Sequence, residues 1–263
     1  MKNRFRNIIR LALLLIVIGA IGNVVLYMLG QSPFNLGEIS TEQNVRMDQT
    51  TNVLIHTETG TVDVVPIKGH EIKATLEGKT TKQSLKDYRL DITQDQGQTR
   101  IEVVQDSKFR FFDIYTNLKL TIGIPETQLN QLQVVTDTGN IYVDSVLASE
   151  YRVVSDTGSI KMDIKEGVIN AETNTGAITA SLDHINQNIH AISDTGDIVI
   201  QTAEAPQALR TKFSADSGTI KVTLPNYQDG YIGEGGPLVE LISDTGNLEI
   251  KQNSGEYQEE KQD

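Results

Sequence analysis

The chain has no cysteine and no tryptophan, only six prolines and four histidines, and aromatic residues make up 5% of its 263 positions. Without cysteine there are no disulfides, no Cys-zinc sites, no thiol catalysis and no lipid-modified cysteine anchor. Acidic side chains are also missing from one region: none precedes Gly30. That region holds the one long apolar run. LALLLIVIGAIGNVVLYML, residues 11–29, has Asn23 as its only strongly polar side chain and as a helix would extend roughly 28 Å, enough to cross a bilayer. Lys2, Arg4, Arg6 and Arg10 precede it and no basic residue follows until Arg46. The positive-inside bias therefore puts residues 1–10 in the cytoplasm and everything after the helix outside. A cleaved signal peptide has the same polarity, but its apolar core is shorter and ends at a small-residue cleavage site. Here apolar sequence continues past Ala20-Ile21-Gly22.

The part beyond the anchor carries all 35 acidic residues and 19 of the 23 basic ones, a formal charge of −16. Phosphate-binding surfaces need a basic excess, so no nucleic-acid partner is expected. Residues 30–50 are polar without clear periodicity and read as a linker. Residues 252–263 read as a polar tail.

One short pattern recurs through residues 51–251. Aligned on its glycine it gives TETG at Gly60, TDTG at Gly139, SDTG at Gly158, TNTG at Gly176, SDTG at Gly196, ADSG at Gly218 and SDTG at Gly246. The flanks keep register. Five residues before the glycine stand Ile55, Val134, Val153, Ala171, Ala191, Phe213 and Leu241; two after it stand Val62, Ile141, Ile160, Ile178, Ile198, Ile220 and Leu248. Positions between them are mostly polar, the period-two signature of strands with one buried face. Each unit is thus strand, tight turn, strand and a variable connection. A coil of about twenty residues with four large inward side chains cannot stand alone and must stack on neighbours. The expected fold class is all-β: a β-solenoid of parallel stacked coils of about 18–22 residues after one transmembrane helix, with a meander of glycine-turn hairpins as the alternative. The 79 residues between Gly60 and Gly139 leave room for degenerate coils; EIKATLEG, YRLDITQDQGQTRIEVVQ and NLKLTIGIPE read as strands there. Between them, FRFFDIY concentrates three of the six phenylalanines. It reads as core or an end plug, or else as a partner patch of Phe109, Phe111, Phe112 and Tyr115.

Asp-Thr-Gly also opens the question of chemistry. An aspartic protease needs two such triplets brought together in a cleft, usually with an apolar residue before each Asp. This chain has Ser or Thr there in six copies and Ala215 in one. The plain reading is a turn, in which the acidic or amide side chain accepts a backbone N–H and glycine takes the positive-φ position. The alternative is a ladder of weak metal candidates, Asp137, Asp156, Asp194, Asp216 and Asp244, with calcium as the ion suited to such oxygens; Asn174 interrupts that row. No cofactor is expected otherwise. His56, His70, His184 and His190 are scattered, and no catalytic residues emerge.

TDTGNIYV, SDTGSIKM, SDTGDIVI and the strand ending LTIGIPET resemble the bacterial putative-adhesin family, over about residues 50–251. With its basic N-terminus and single anchor, the whole chain resembles the membrane-anchored form encoded with a cell-envelope stress-response system. The resemblance implies no enzyme activity and no established binding residues. It points to binding or scaffolding at the cell envelope, with an envelope protein or cell-wall polymer as partner. The competing expectations are an enzyme acting on envelope polysaccharide and a calcium-binding surface adhesin.

Overall fold

The computed structural model describes residues 2–29, 35–47, 50–106 and 115–253. Among the described residues a single helix, α1 (Lys2–Met28), precedes twenty strands arranged as two ten-stranded sheets. The helix includes the basic segment and is long and apolar enough to cross a membrane.

Eight strand pairs form the body of the molecule, each giving one strand to each sheet. In chain order the first strands are β1 (Leu36–Arg46), β2 (Asn52–Thr59), β3 (Thr61–Ile67), β4 (Glu71–Thr81), β5 (Tyr88–Asp95), β6 (Gln98–Gln105) and β7 (Thr116–Pro125). The regular units follow: β8 (Leu129–Thr138) with β9 (Ile141–Asp144), β10 (Ala148–Thr157) with β11 (Ile160–Ile164), β12 (Val168–Thr175) with β13 (Ile178–Leu182), and β14 (Ile189–Thr195) with β15 (Ile198–Thr202). The last are β16 (Leu209–Ser217), β17 (Ile220–Thr223), β18 (Tyr231–Ile232), β19 (Leu238–Thr245) and β20 (Leu248–Gln252).

Within the units, all neighbours across coils are parallel and in the register given by aligning the glycines. Ile55 pairs with Val134, Val134 with Val153, Val153 with Ala171, Ala171 with Ala191, and Ala191 with Leu241. In the other sheet Val62, Ile141, Ile160, Ile178, Ile198 and Leu248 form the matching column. All of these are buried between the sheets. The glycine turn is therefore a corner where the chain leaves one sheet for the other, and the hairpin alternative does not hold for these units.

Stack order and chain order part company at both ends. One sheet runs β1-β4-β7-β3-β9-β11-β13-β15-β20-β17 and the other β18-β16-β19-β14-β12-β10-β8-β2-β6-β5. The last unit in sequence, β19/β20, lies between β14/β15 and β16/β17. The first, β2/β3, lies inside β6/β7. Among the described residues only β6/β7 is an extra coil in the long interval before Gly139; β4 and β5 are antiparallel strands laid on β7 and β6. The linker expected over residues 30–50 is corrected for most of its length, because Leu36–Arg46 pairs along its whole length with β4. As an outermost strand it buries Ile39 but few other side chains, so its sequence carries almost no period-two signal.

Tyr151 is among the largest fully buried side chains. It fills a column otherwise held by Leu132 and Ile169; its hydroxyl donates to the Val146 carbonyl at 2.6 Å and accepts from the Ala148 N–H at 2.9 Å. Gly167 makes room for the ring, since a Cβ there would lie 2.6 Å from Tyr151 Cε2. Burial pushes the phenol pKa up, against the Ala148 hydrogen bond that lowers it. Tyr151→Phe leaves two buried backbone groups without their side-chain partner. It is expected to cost about 1–3 kcal/mol by urea unfolding, and no measurable loss would mean the connection 145–147 is held some other way.

Candidate binding surfaces

The corner is built from backbone. Gly139 N–H donates to the Thr157 carbonyl, Gly158 to Thr175, Gly176 to Thr195 and Gly196 to Thr245, all within 2.8–2.9 Å. The parallel ladder thus continues around the bend. Close stacking follows: a Cβ on Gly158 would sit 2.0 Å from the Gly139 carbonyl oxygen, and its φ is +153°.

Side chains on either side of the glycine reinforce the corner. Ser155, Thr173, Ser193 and Ser243 each donate a hydroxyl hydrogen bond, 2.9–3.1 Å long, to the glycine carbonyl of the adjacent coil. Thr57 donates instead to the Thr59 carbonyl at 2.9 Å, and the buried Thr136 hydroxyl has no hydrogen-bond partner among the described residues. The neighbouring Gly60 has φ +109°, whereas Gly139, Gly158, Gly176 and Gly196 lie between +151° and +155°. One position after the glycine, Asn140 Oδ1 accepts from Ser159 N–H at 2.9 Å, Asp197 Oδ1 from Asn247 N–H at 2.7 Å, and Asn247 Oδ1 from Thr219 N–H at 3.0 Å. The sequence signal for these bridges is the recurring Asn, Asp, Ser or Thr directly after the glycine.

The triplet carboxylates do something different from the turn role expected of them. Asp137, Asp156, Asp194, Asp216 and Asp244 are exposed, and none shows a side-chain hydrogen bond among the described residues. The bonds assigned to them are made instead by the flanking hydroxyls and by the residue after the glycine. Register places the row at strand spacing, about 4.8 Å per step, with Asn174 between Asp156 and Asp194. No group of three or more metal-ligating side chains is found among the described residues. Phe109, Phe111 and Phe112 of the proposed aromatic patch lie outside the described residues. Tyr115 is exposed, and its carbonyl accepts a long hydrogen bond from Thr80 Oγ1 at 3.5 Å.

The outer faces are laced with ion pairs. Lys73–Glu42, Lys79–Glu38, Lys119–Asp63 and Lys221–Glu249 lie on one sheet; Arg100–Glu102, Lys212–Glu240 and His190–Glu240 lie on the other. Glu240 is held below the usual range mainly by its Lys212 hydrogen bond, and Glu249 by Lys251. A shallow groove of about 280 Å³ breaks this pattern, lined by Asp63, Tyr142, Asp144, Lys161 and Asp163. Asp144 and Asp163 are directly paired across strands. Asp163 is raised, first by burial and then by Asp144 and Asp183. A carboxyl raised in the folded state binds its proton more tightly there than in the unfolded chain, so it subtracts stability once ionised. Asp163→Asn should therefore raise Tm at pH 7, with the gain disappearing as pH falls through the Asp163 pKa. A gain of the same size at pH 3 would contradict this.

The two ends of the stack differ. At the β1/β5 end Gln43 Nε2 donates to the Leu90 carbonyl, and Gln94 Nε2 to the Arg46 carbonyl, at 2.7 Å each. At the other end Ile220 is 50% and Tyr231 57% exposed, although Ile220 stands in a column whose interior members are buried to 1% or less.

With two sheets of parallel coils turning at stacked glycines, the chain can be compared with known proteins. The family model described as Toastrack DUF4097 matches residues 37–256. The chain belongs to the Toastrack DUF4097 family. Its fold is similar to that of a putative cell adhesion protein from Clostridium sporogenes, with 13% identity, TM-score 0.50 and coverage of 81% of this chain and 100% of that one. A putative adhesin from Bacteroides fragilis gives 15% identity, TM-score 0.42 and coverage of 81% and 97%. Among curated proteins no match is found. The family match begins one residue into β1, in keeping with that strand being part of the Toastrack domain.

Proposed function

We propose that this chain is a single-pass membrane protein that holds a non-enzymatic β-solenoid outside the cell membrane, where it binds or scaffolds envelope components. In overall organisation it is most like LiaG, the membrane-anchored protein of a cell-envelope stress operon. The observation that carries this reading is the join between α1 and the stack. The apolar helix, basic at its start, ends at Met28, and β1, the outermost strand of one sheet, begins at Leu36. The eight residue steps between them span at most about 29 Å. The β1 end therefore sits near the membrane, and the β16/β17 end lies nine strand spacings away, about 43 Å. The acidic surface, −16 beyond the helix, resists lying flat on an anionic leaflet.

The triplet row serves in this reading as solvated turns, and no calcium ladder is part of it. For the enzyme alternative the candidate place is the groove where Asp144 and Asp163 are paired across strands. Turnover of envelope polysaccharide that disappears in Asp163→Asn would favour it.

The absence of cysteine makes the topology directly testable. Single cysteines at Arg4 and at Asp156 would be probed in intact cells with a membrane-impermeant maleimide. Labelling at 156 and protection at 4 is expected; labelling at 4 with protection at 156 would overturn the reading.

A further inference from the structure

We propose that the far end of the stack binds an extended segment of a partner protein, added as an eleventh strand along β17. The inference rests on the scaffold reading above and names the partner's chemistry. Each sheet has two edges, and the stack of coils ends at four strands: β7, β6, β16 and β17. The first three are each met by an antiparallel strand of the chain itself, β4, β5 and β18 respectively. β17 has no such neighbour among the described residues.

Its open side offers what an added strand requires. Leu248 N–H donates to the Thr219 carbonyl, which fixes the parallel ladder so that Lys221 faces β20 with its peptide groups. Ile220 and Val222 then point their N–H and C=O groups away from the stack. Their side chains stand over the core, Ile220 half exposed and Val222 partly buried. Lys221 projects from the outer face, 3.3 Å from Glu249 on one side and open on the other. An incoming strand is therefore recognised by two alternate apolar residues with an acidic residue between them, the strand-addition mode of peptide binding. The chain's own residues 254–263, SGEYQEEKQD, lack that pattern. A second copy would have to bring its coil end against both sheets, and the β18 hairpin already covers part of β16.

β5 shows the required pattern within this molecule, with Leu90 and Ile92 packed inward around outward Asp91. A synthetic peptide of residues 88–95, YRLDITQD, is therefore the probe, tested on the full chain in nanodiscs. Binding should slow exchange of the Ile220 and Val222 amides. Val222→Pro removes an outward N–H at an edge position that tolerates proline and should weaken binding at least tenfold. Changing Asp91 of the peptide to Lys should weaken binding to the native chain and restore it on Lys221→Glu. The proposal is overturned by unchanged exchange at 220 and 222, or by equal binding to Val222→Pro and indifference to the charge swap. Protection of the same amides without peptide also overturns it, whether it rises with protein concentration and so reports a second copy, or vanishes when residues 254–263 are removed and so reports the chain's own tail. None of these outcomes alters maleimide labelling, so failure here is distinguishable from failure of the membrane topology.

Discussion

Gly158→Val is expected to cost at least about 4 kcal/mol, a fall in Tm of roughly 10 °C for a domain of this size. Two independent costs fall on the same residue. The φ of +153° disfavours any side chain, and the added Cβ would lie 2.0 Å from the Gly139 carbonyl oxygen and 3.1 Å from the Asn140 nitrogen. Backbone on both coils is tied into the corner ladder, Gly139 to Thr157 and Gly158 to Thr175, so neither can retreat without breaking hydrogen bonds on each side. The adjacent Asp156→Asn is the control, because Asn174 already occupies the equivalent corner of the next coil. It should change stability by less than about 0.5 kcal/mol. Equal damage from both substitutions, measured by thermal or urea unfolding, would mean that the carboxylate and not the glycine holds the corner.

A stop after Gly236 should be almost as damaging, and for a reason the chain order hides. It removes the last 27 residues in sequence but the second coil from the end in space. β19/β20 contributes Val239, Leu241, Leu248 and Ile250, each fully buried, worth roughly 6–12 kcal/mol of burial together. It also supplies the parallel partners of β14, β15, β16 and β17. Without it β16 and β17 lose every parallel neighbour, and rapid amide exchange across residues 209–223 is expected. A stop after Asn253 removes only the tail and should leave Tm within about 1 °C. Retention of a cooperative transition by the shorter chain would show that β16/β17 can close onto β14/β15 directly.

The register of the coils and their order differ in what the sequence makes visible. The columns through Ile55 and Val62 can be read from spacing because every regular coil repeats the same inward positions, and a one-residue slip would turn them all to solvent. The order of the coils cannot, since a parallel strand that matches one neighbour in register matches them all equally well. Only the connection between β17 and β19, long enough to carry the 226–232 hairpin, hints that the chain doubles back. The closing strands were half legible. β4 and β5 show alternation, whereas β1 has Glu38, Ser40, Glu42 and Asn44 facing water, and its pairing depends on β4 beside it.

The candidate surfaces divide in the same way. The corner triplets were conspicuous as a motif, yet the residues that bridge coils are the hydroxyls before them and Asn140, Asp197 and Asn247 after them. A carboxylate row draws attention because its chemistry is familiar; a bridging amide is ordinary until its neighbour is known. Ile220 is apolar in sequence like the rest of its column, and only the stack order makes it the exposed end.

Cysteine pairs test that order most directly, because the native chain has none. His190 pairs with Glu240, and Glu240 with Lys212, as adjacent outward positions on β14, β19 and β16. Under mild oxidation His190→Cys with Glu240→Cys, and Glu240→Cys with Lys212→Cys, should each form a disulfide, neighbouring strands lying within its reach. His190→Cys with Lys212→Cys, two strand spacings apart, should not. A disulfide between 190 and 212, with none to 240, would place β16 directly on β14 and contradict the stack described above.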